Sequence, residues 1–152
     1  MSLKTEELFS LENPVFRAYL FYNSVLVLKM MSMSALTSFI RIRNKAFANP
    51  EDAVMYKRKP ITNESVERVR RAHQNDLENI QIYFVAAFSY LMTSPSPWLA
   101  KTLFLTFTAA RIAYTLVYAV VVVPQPARFL ACFVGYAITG YMALQGAVHF
   151  LA

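Results

Sequence analysis

Arg68, Arg71, Asn75, Glu78 and Ile82 step by three or four residues, so a helix through them sets four polar groups on one face. Arg70, His73, Asp76 and Asn79 fall on the adjoining faces of the same helix. Further on, Arg111, Tyr114, Thr115 and Tyr118 repeat the spacing, and Ser34, Ser38 and Arg41 show it earlier in the chain. Several Arg, one Glu, one Asn and two Tyr on such faces can hold a small zwitterion that carries carboxylates and an amine. Arg forks bind carboxylates bidentately, and a Glu accepts from an ammonium. Other chemistries lack their parts. There is no Ser-His-Asp motif and no nucleophilic Cys motif, and three Gly in the whole chain do not build a phosphate-cradling loop. Zinc takes three or four ligands, which Cys132 and the distant His73 and His149 do not supply. No metal is expected, and on residue type alone His73 reads as a structural histidine.

The elements that position these groups follow from the charge distribution. All nine acidic residues lie within residues 1–79, together with twelve of the fifteen Lys and Arg. Residues 80–152 carry only Lys101, Arg111 and Arg128. Charged residues make up 16% of the 152, against about 25% in soluble domains, and the mean hydropathy is +0.36. Disorder and a disulfide scaffold are excluded by the apolar composition and the single cysteine. Residues 98–123 hold two charges and residues 129–152 hold none. Each run exceeds the roughly 20 residues that cross a bilayer as a helix, and helices apolar all round do not hide in a domain this small. The sequence predicts an integral membrane protein.

Four spans are expected, at about 14–41, 66–93, 97–122 and 127–150, in one membrane domain covering 1–152 with a loop at about 42–65. The TSPSP turn at 93–97 and the prolines flanking Gln125 break the later runs. Nine of the fifteen basic residues fall within 41–71, while the first thirteen residues carry Lys4 against Glu6, Glu7 and Glu12. The positive-inside rule therefore puts the long loop and Arg128 at the cytosolic side. With this arrangement a sequence pI near 9.6 reflects topology signals and headgroup contacts rather than nucleic acid binding.

Ionisable groups at membrane depth are costly and face a bundle interior or a water-filled cavity. Arg111 stands thirteen residues before Pro124, roughly 20 Å at the helical rise. That depth demands a carboxylate, and Glu78 and Asp76 are the acids at comparable depth. Such a pair can simply fix helix packing. Arg68, Arg70 and Arg71 can serve as headgroup anchors, and Lys29 is long enough to snorkel.

On these residues the chain resembles the microsomal glutathione S-transferases of the type 1 kind, in the superfamily of membrane-associated proteins in eicosanoid and glutathione metabolism. The matching segments are KMMSMSALTSF (29–39), KAFANPEDA (45–53), ERVRRAHQNDLENI (67–80), ARIAYTLVY (110–118), PQPAR (124–128) and FVGY (133–136). The third is highly specific. Microsomal prostaglandin E synthase shares the KAFANPEDA, RAH and ND-x-E elements, whereas the PQP turn and the FVGY run favour the transferase. The resemblance implies an all-α, four-transmembrane-helix bundle assembled as a homotrimer in the endoplasmic reticulum membrane, with the mitochondrial outer membrane as a second location. It further implies glutathione as co-substrate between neighbouring subunits, held by Arg41, Arg70, Arg71, His73, Asn75, Glu78, Tyr114 and Tyr118, with Arg128 as the catalytic cation beside the sulfur. Arg111 and Asp76 are left as a structural intramembrane charge pair.

The implied activity is conjugation of glutathione to lipophilic electrophiles, with glutathione-dependent reduction of lipid hydroperoxides. The alternatives are a glutathione-dependent prostaglandin E synthase and a non-catalytic lipid-presenting membrane protein. Three features depart from the type 1 pattern. Ala53 replaces a cysteine, so activation by thiol alkylation there is not expected. Tyr114 replaces a His, and one extra residue lies between Tyr118 and Pro124, so the placing of Arg128 depends on how the helix end absorbs it. Relatives with prostaglandin synthase activity carry Ser where this chain has Phe129.

Overall fold

The computed structural model describes residues 5–151, and Lys4 of the orientation argument lies outside them. Within these residues all regular structure is helical. A short α1 (Thr5–Leu8) leads into α2 (Pro14–Arg43), followed by α3 (Pro50–Met55), α4 (Glu64–Leu91), α5 (Pro97–Thr115) and α6 (Ala127–Leu151), with a π-helical turn at Leu116–Val120 after α5. Polar caps and prolines mark the starts. Asn13 accepts from the amides of Val15 (2.9 Å) and Phe16 (3.4 Å) and donates to Leu8 O, with Pro14 in the first turn. Asn63 accepts from Ser65 N at the head of α4, and Ser96 with Pro97 opens α5.

Pro14–Arg43, Pro97–Val120 and Ala127–Leu151 are long and apolar enough to cross a membrane. α4 is as long but carries polar residues through its first four turns. The four long helices form a ring in the order α2, α4, α6, α5, so α4 and α5, joined by the TSPSP turn, sit diagonally. Leu26, Ile80, Tyr83, Phe104, Phe107 and Met142 fill the centre with no exposed surface. Tyr83 stacks on Phe107 at 3.7 Å, and Phe104 meets Tyr83 edge-on, both favourable aromatic arrangements.

The connection between α2 and α4 is ordered by its own packing. Ala46 and Phe47 are buried, Phe47 stacks on Tyr56 at 4.3 Å, and Phe47 O accepts from Ile61 N. Ala53 on α3 is fully buried.

Gly146 of α6 lies against Ser89 of α4, whose Oγ and Cβ occupy the space a side chain would need. Small residues at such crossings let helix backbones approach. Gly146→Val is therefore expected to force α4 and α6 apart, at about 1–3 kcal/mol, lowering the thermal unfolding midpoint of the purified protein followed by circular dichroism.

Candidate functional site

The deepest polar feature is a buried trio. The Arg111 guanidinium donates to Asp76 Oδ1 through Nη2 (2.6 Å) and Nε (3.1 Å), and neither side chain has exposed surface. Lys29 of α2 donates to the other carboxylate oxygen, Oδ2. Of the two acids the sequence offered to Arg111, Asp76 is the partner; Glu78 is exposed on the outside of the bundle. Lys29 does not snorkel. It is 9% exposed, because Asp76 gives it a partner at depth that water cannot match. Three charges thus sit in the bundle with a net charge of +1, and Arg111 Nη1 has no hydrogen-bond partner among the described residues.

From this trio a chain of contacts runs to the bundle's end. Arg111 Nη2 also donates to Asn75 Oδ1 at 2.8 Å, while Asn75 O accepts from Asn79 Nδ2. The Arg111 guanidinium lies 4.7 Å from the Tyr114 ring centre. Tyr114 stacks on Tyr118 at 5.4 Å, and the Arg128 guanidinium lies 5.2 Å from the Tyr118 ring, both within cation–π range for the two Arg. Tyr118 OH accepts from Arg71 Nε at 3.3 Å, and Arg71 Nη2 donates to Glu64 Oε1 at 2.5 Å. Glu64 and Arg71 are seven residues apart, two helical turns, a spacing that sets them on one face of α4.

After α5 the helix closes in a π turn at Leu116–Val120. In it Val121 N donates to Leu116 O, five residues back, instead of four. Single π turns inside α-helices are rare and often lie at functional sites. The turn keeps Tyr118 against Arg71 while the Pro124–Pro126 corner brings Arg128 back beneath it. Arg128 Nε is buried without a hydrogen-bond partner, and Arg128 forms no ion pair among the described residues.

The remaining candidates lie elsewhere. His73 and Arg70 line a surface cavity of about 290 Å³ with Ser34 and Thr37 of α2. Arg70 donates to Glu67 at 2.9 Å. Arg41 shares the α2 face of Ser34 and Thr37 and lies 3.9 Å from Asp52 of α3. Glu78 is exposed and accepts from Gln74 at 3.2 Å. The chain therefore brings Arg71, Asn75, Tyr114, Tyr118 and Arg128 together towards the π turn, and Arg70 and His73 together on the α2 side of α4, with Arg41 further along the same face of α2. Gln74 and Glu78 stand on the ridge between the two groups. No group of three His, Cys, Asp or Glu among the described residues is arranged to hold a metal.

Residues 19–148 match the MAPEG family. The chain is 42% identical over 141 residues to microsomal glutathione S-transferase 1 of Homo sapiens, spanning 89% of this chain and 90% of that protein. The Mus musculus protein of the same name is 44% identical over the same shares. Prostaglandin E synthase of Homo sapiens is 37% identical over 110 residues, 71% of this chain and 72% of its own length. The resemblance drawn from the sequence motifs is borne out, and with the match running from the first long helix to nearly the end of the last, the chain belongs to the MAPEG family.

Proposed function

We propose that this protein is a microsomal glutathione transferase that conjugates glutathione to lipophilic electrophiles and reduces lipid hydroperoxides with glutathione. It acts as a multi-pass homotrimer with four spans in the endoplasmic reticulum membrane. The observation that carries this reading is Arg128, a cation with a buried and unpartnered Nε, packed over Tyr118 beside Arg71. A free thiol has a pKa near 8.5 and is only a few per cent ionised at neutral pH. A cation with a free donor in a water-poor site stabilises the thiolate. The thiolate then attacks an electrophilic carbon arriving from the bilayer, a new C–S bond forms, and the leaving group departs with its electron pair.

Two features support a site shared between subunits. Arg41, Arg70 and His73 lie on the opposite flank of α4 from Tyr118 and Arg128, an arrangement that two neighbouring copies can close around one ligand. In addition, α4 turns Gln74, Glu78 and Gln81 outwards, and polar groups at membrane depth need a protein or ligand partner. In that interface the Arg side chains take the two carboxylates of glutathione, and Glu78 takes its ammonium.

Glu78→Gln is expected to weaken glutathione binding at least several-fold, measured by equilibrium dialysis, while the assembly keeps its size. Unchanged binding would place the amine elsewhere. The reaction is decided by turnover of the detergent-purified protein with glutathione and a chlorinated nitrobenzene, a fatty-acid hydroperoxide or a prostaglandin endoperoxide. Conjugation is expected. Endoperoxide isomerisation without conjugation would move the assignment to the prostaglandin synthase activity named for the more distant relatives, a reading weakened by Phe129, an exposed phenyl ring beside Arg128. Absence of glutathione binding would leave the lipid-presenting alternative.

A further inference from the structure

A second concave surface lies on the other side of α2. Its α2 residues fall roughly half a turn from the Ser34, Thr37 and Arg41 face, and none of the glutathione candidates lines it. Between α2, α5 and the π turn runs a groove of about 520 Å³, walled by Leu36, Phe39, Ile112, Leu116 and Val120. At Val120 it meets a second hollow of about 400 Å³, in which Arg43 of α2 and Arg68 of α4 face the same space together with Asn44 and Ser65. Arg43 forms no ion pair among the described residues. Arg68 has only a 3.9 Å contact with Glu64, whose carboxylate is already engaged at 2.5 Å by Arg71.

The pairing of an apolar trough with a cationic mouth has the polarity of one ligand class. From Arg43 to Lys29, which lines the deep end beyond Ser32, the two hollows follow fourteen residues of helix, roughly 21 Å at the helical rise. That is long enough to take one acyl chain, whose leaflet is half of the about 30 Å hydrocarbon thickness of a bilayer. Basic pockets between membrane helices recognise anionic headgroups, and the Arg fork suits phosphate in particular. We infer that this groove binds an anionic glycerophospholipid of the leaflet that holds Arg43 and Arg68, with the phosphate between the two guanidinium groups and one acyl chain against Leu36, Phe39 and Leu116.

The test is native mass spectrometry of the purified, assembled protein with dioleoyl phosphatidic acid and dioleoyl phosphatidylcholine in competition, and glycerol phosphate as a tail-less probe. The wild-type protein is expected to retain phosphatidic acid over phosphatidylcholine by roughly 30-fold, the preference that two Arg near a headgroup provide. Arg43→Gln with Arg68→Gln is expected to abolish the preference, and Arg43→Lys with Arg68→Lys to keep most of it. Ala35→Trp, at another wall position, is expected to displace both lipids. Three results would overturn the inference. One is equal retention of the two lipids by the wild type, and another is displacement of phosphatidic acid by glycerol phosphate at equal concentration. The third is a change of subunit number in the Ala35→Trp variant, which would make the groove a contact between copies.

Discussion

Asp76→Asn is expected to be the most damaging single substitution in the chain, costing about 3–5 kcal/mol of stability. It removes the one carboxylate that Lys29 and Arg111 share and leaves two cations in the bundle with no counter-charge. The loss largely disappears when the change is made at Lys29 instead. Lys29→Met removes the surplus positive charge and leaves Asp76 and Arg111 as a neutral, multiply hydrogen-bonded pair. That variant should unfold close to the wild-type temperature, and it should rescue part of the loss when combined with Asp76→Asn. Thermal midpoints of the four proteins in one detergent would decide the matter. A wild-type midpoint for Asp76→Asn would mean that water or lipid phosphate reaches the trio.

Arg128→Ala is expected to have the largest effect on chemistry with the least effect on folding. Holding a thiol mostly ionised at neutral pH takes about 2.7 kcal/mol, equivalent to a hundredfold change in its ionisation constant. Without the Arg128 cation, the bound thiol should fall from mostly ionised to a few per cent, read directly as the ultraviolet absorbance of the thiolate. The conjugation rate should fall by up to the same hundredfold. Arg128→Lys should restore part of the signal, since it returns the charge but not the planar fork. A full thiolate signal in Arg128→Ala would remove Arg128 from the mechanism and leave Arg71 as the nearest cation in that group.

Much of this arrangement was legible from residue spacing, for reasons of period and charge. Helical spacing put Arg71 and Asn75 on one face and Arg111, Tyr114 and Tyr118 on another. A guanidinium at membrane depth required an acid, which narrowed the partner to Asp76 or Glu78. The choice between those two was not legible. They differ by two residues, hence by about 200° around a helix, and only the packing of α4 against α2 and α5 shows which flank is inside. Lys29 was misjudged for the same reason, since a lysine in an apolar run looks alike whether it reaches for the surface or for a carboxylate on another helix. The π turn was not legible, because residue spacing does not distinguish a hydrogen bond to the fifth residue back from one to the fourth. The split of the glutathione candidates over two flanks of α4 was invisible in a linear pattern that places Arg70, Arg71 and His73 almost side by side.

α4 bears on how the protein is made. α2, α5 and α6 are apolar enough to partition into a bilayer one by one, but α4 presents Gln74, Glu78 and Gln81 on its outer side. On the reading of a four-span homotrimer, a newly synthesised lone copy exposes these groups to acyl chains and gains from leaving that state. Biogenesis then becomes cooperative. The copy persists once neighbours arrive to cover the ridge, and those made in excess remain visible to membrane quality control. Cellular abundance would then follow the rate at which copies encounter each other, and a substitution on the ridge would lower the amount of enzyme before it altered any rate constant.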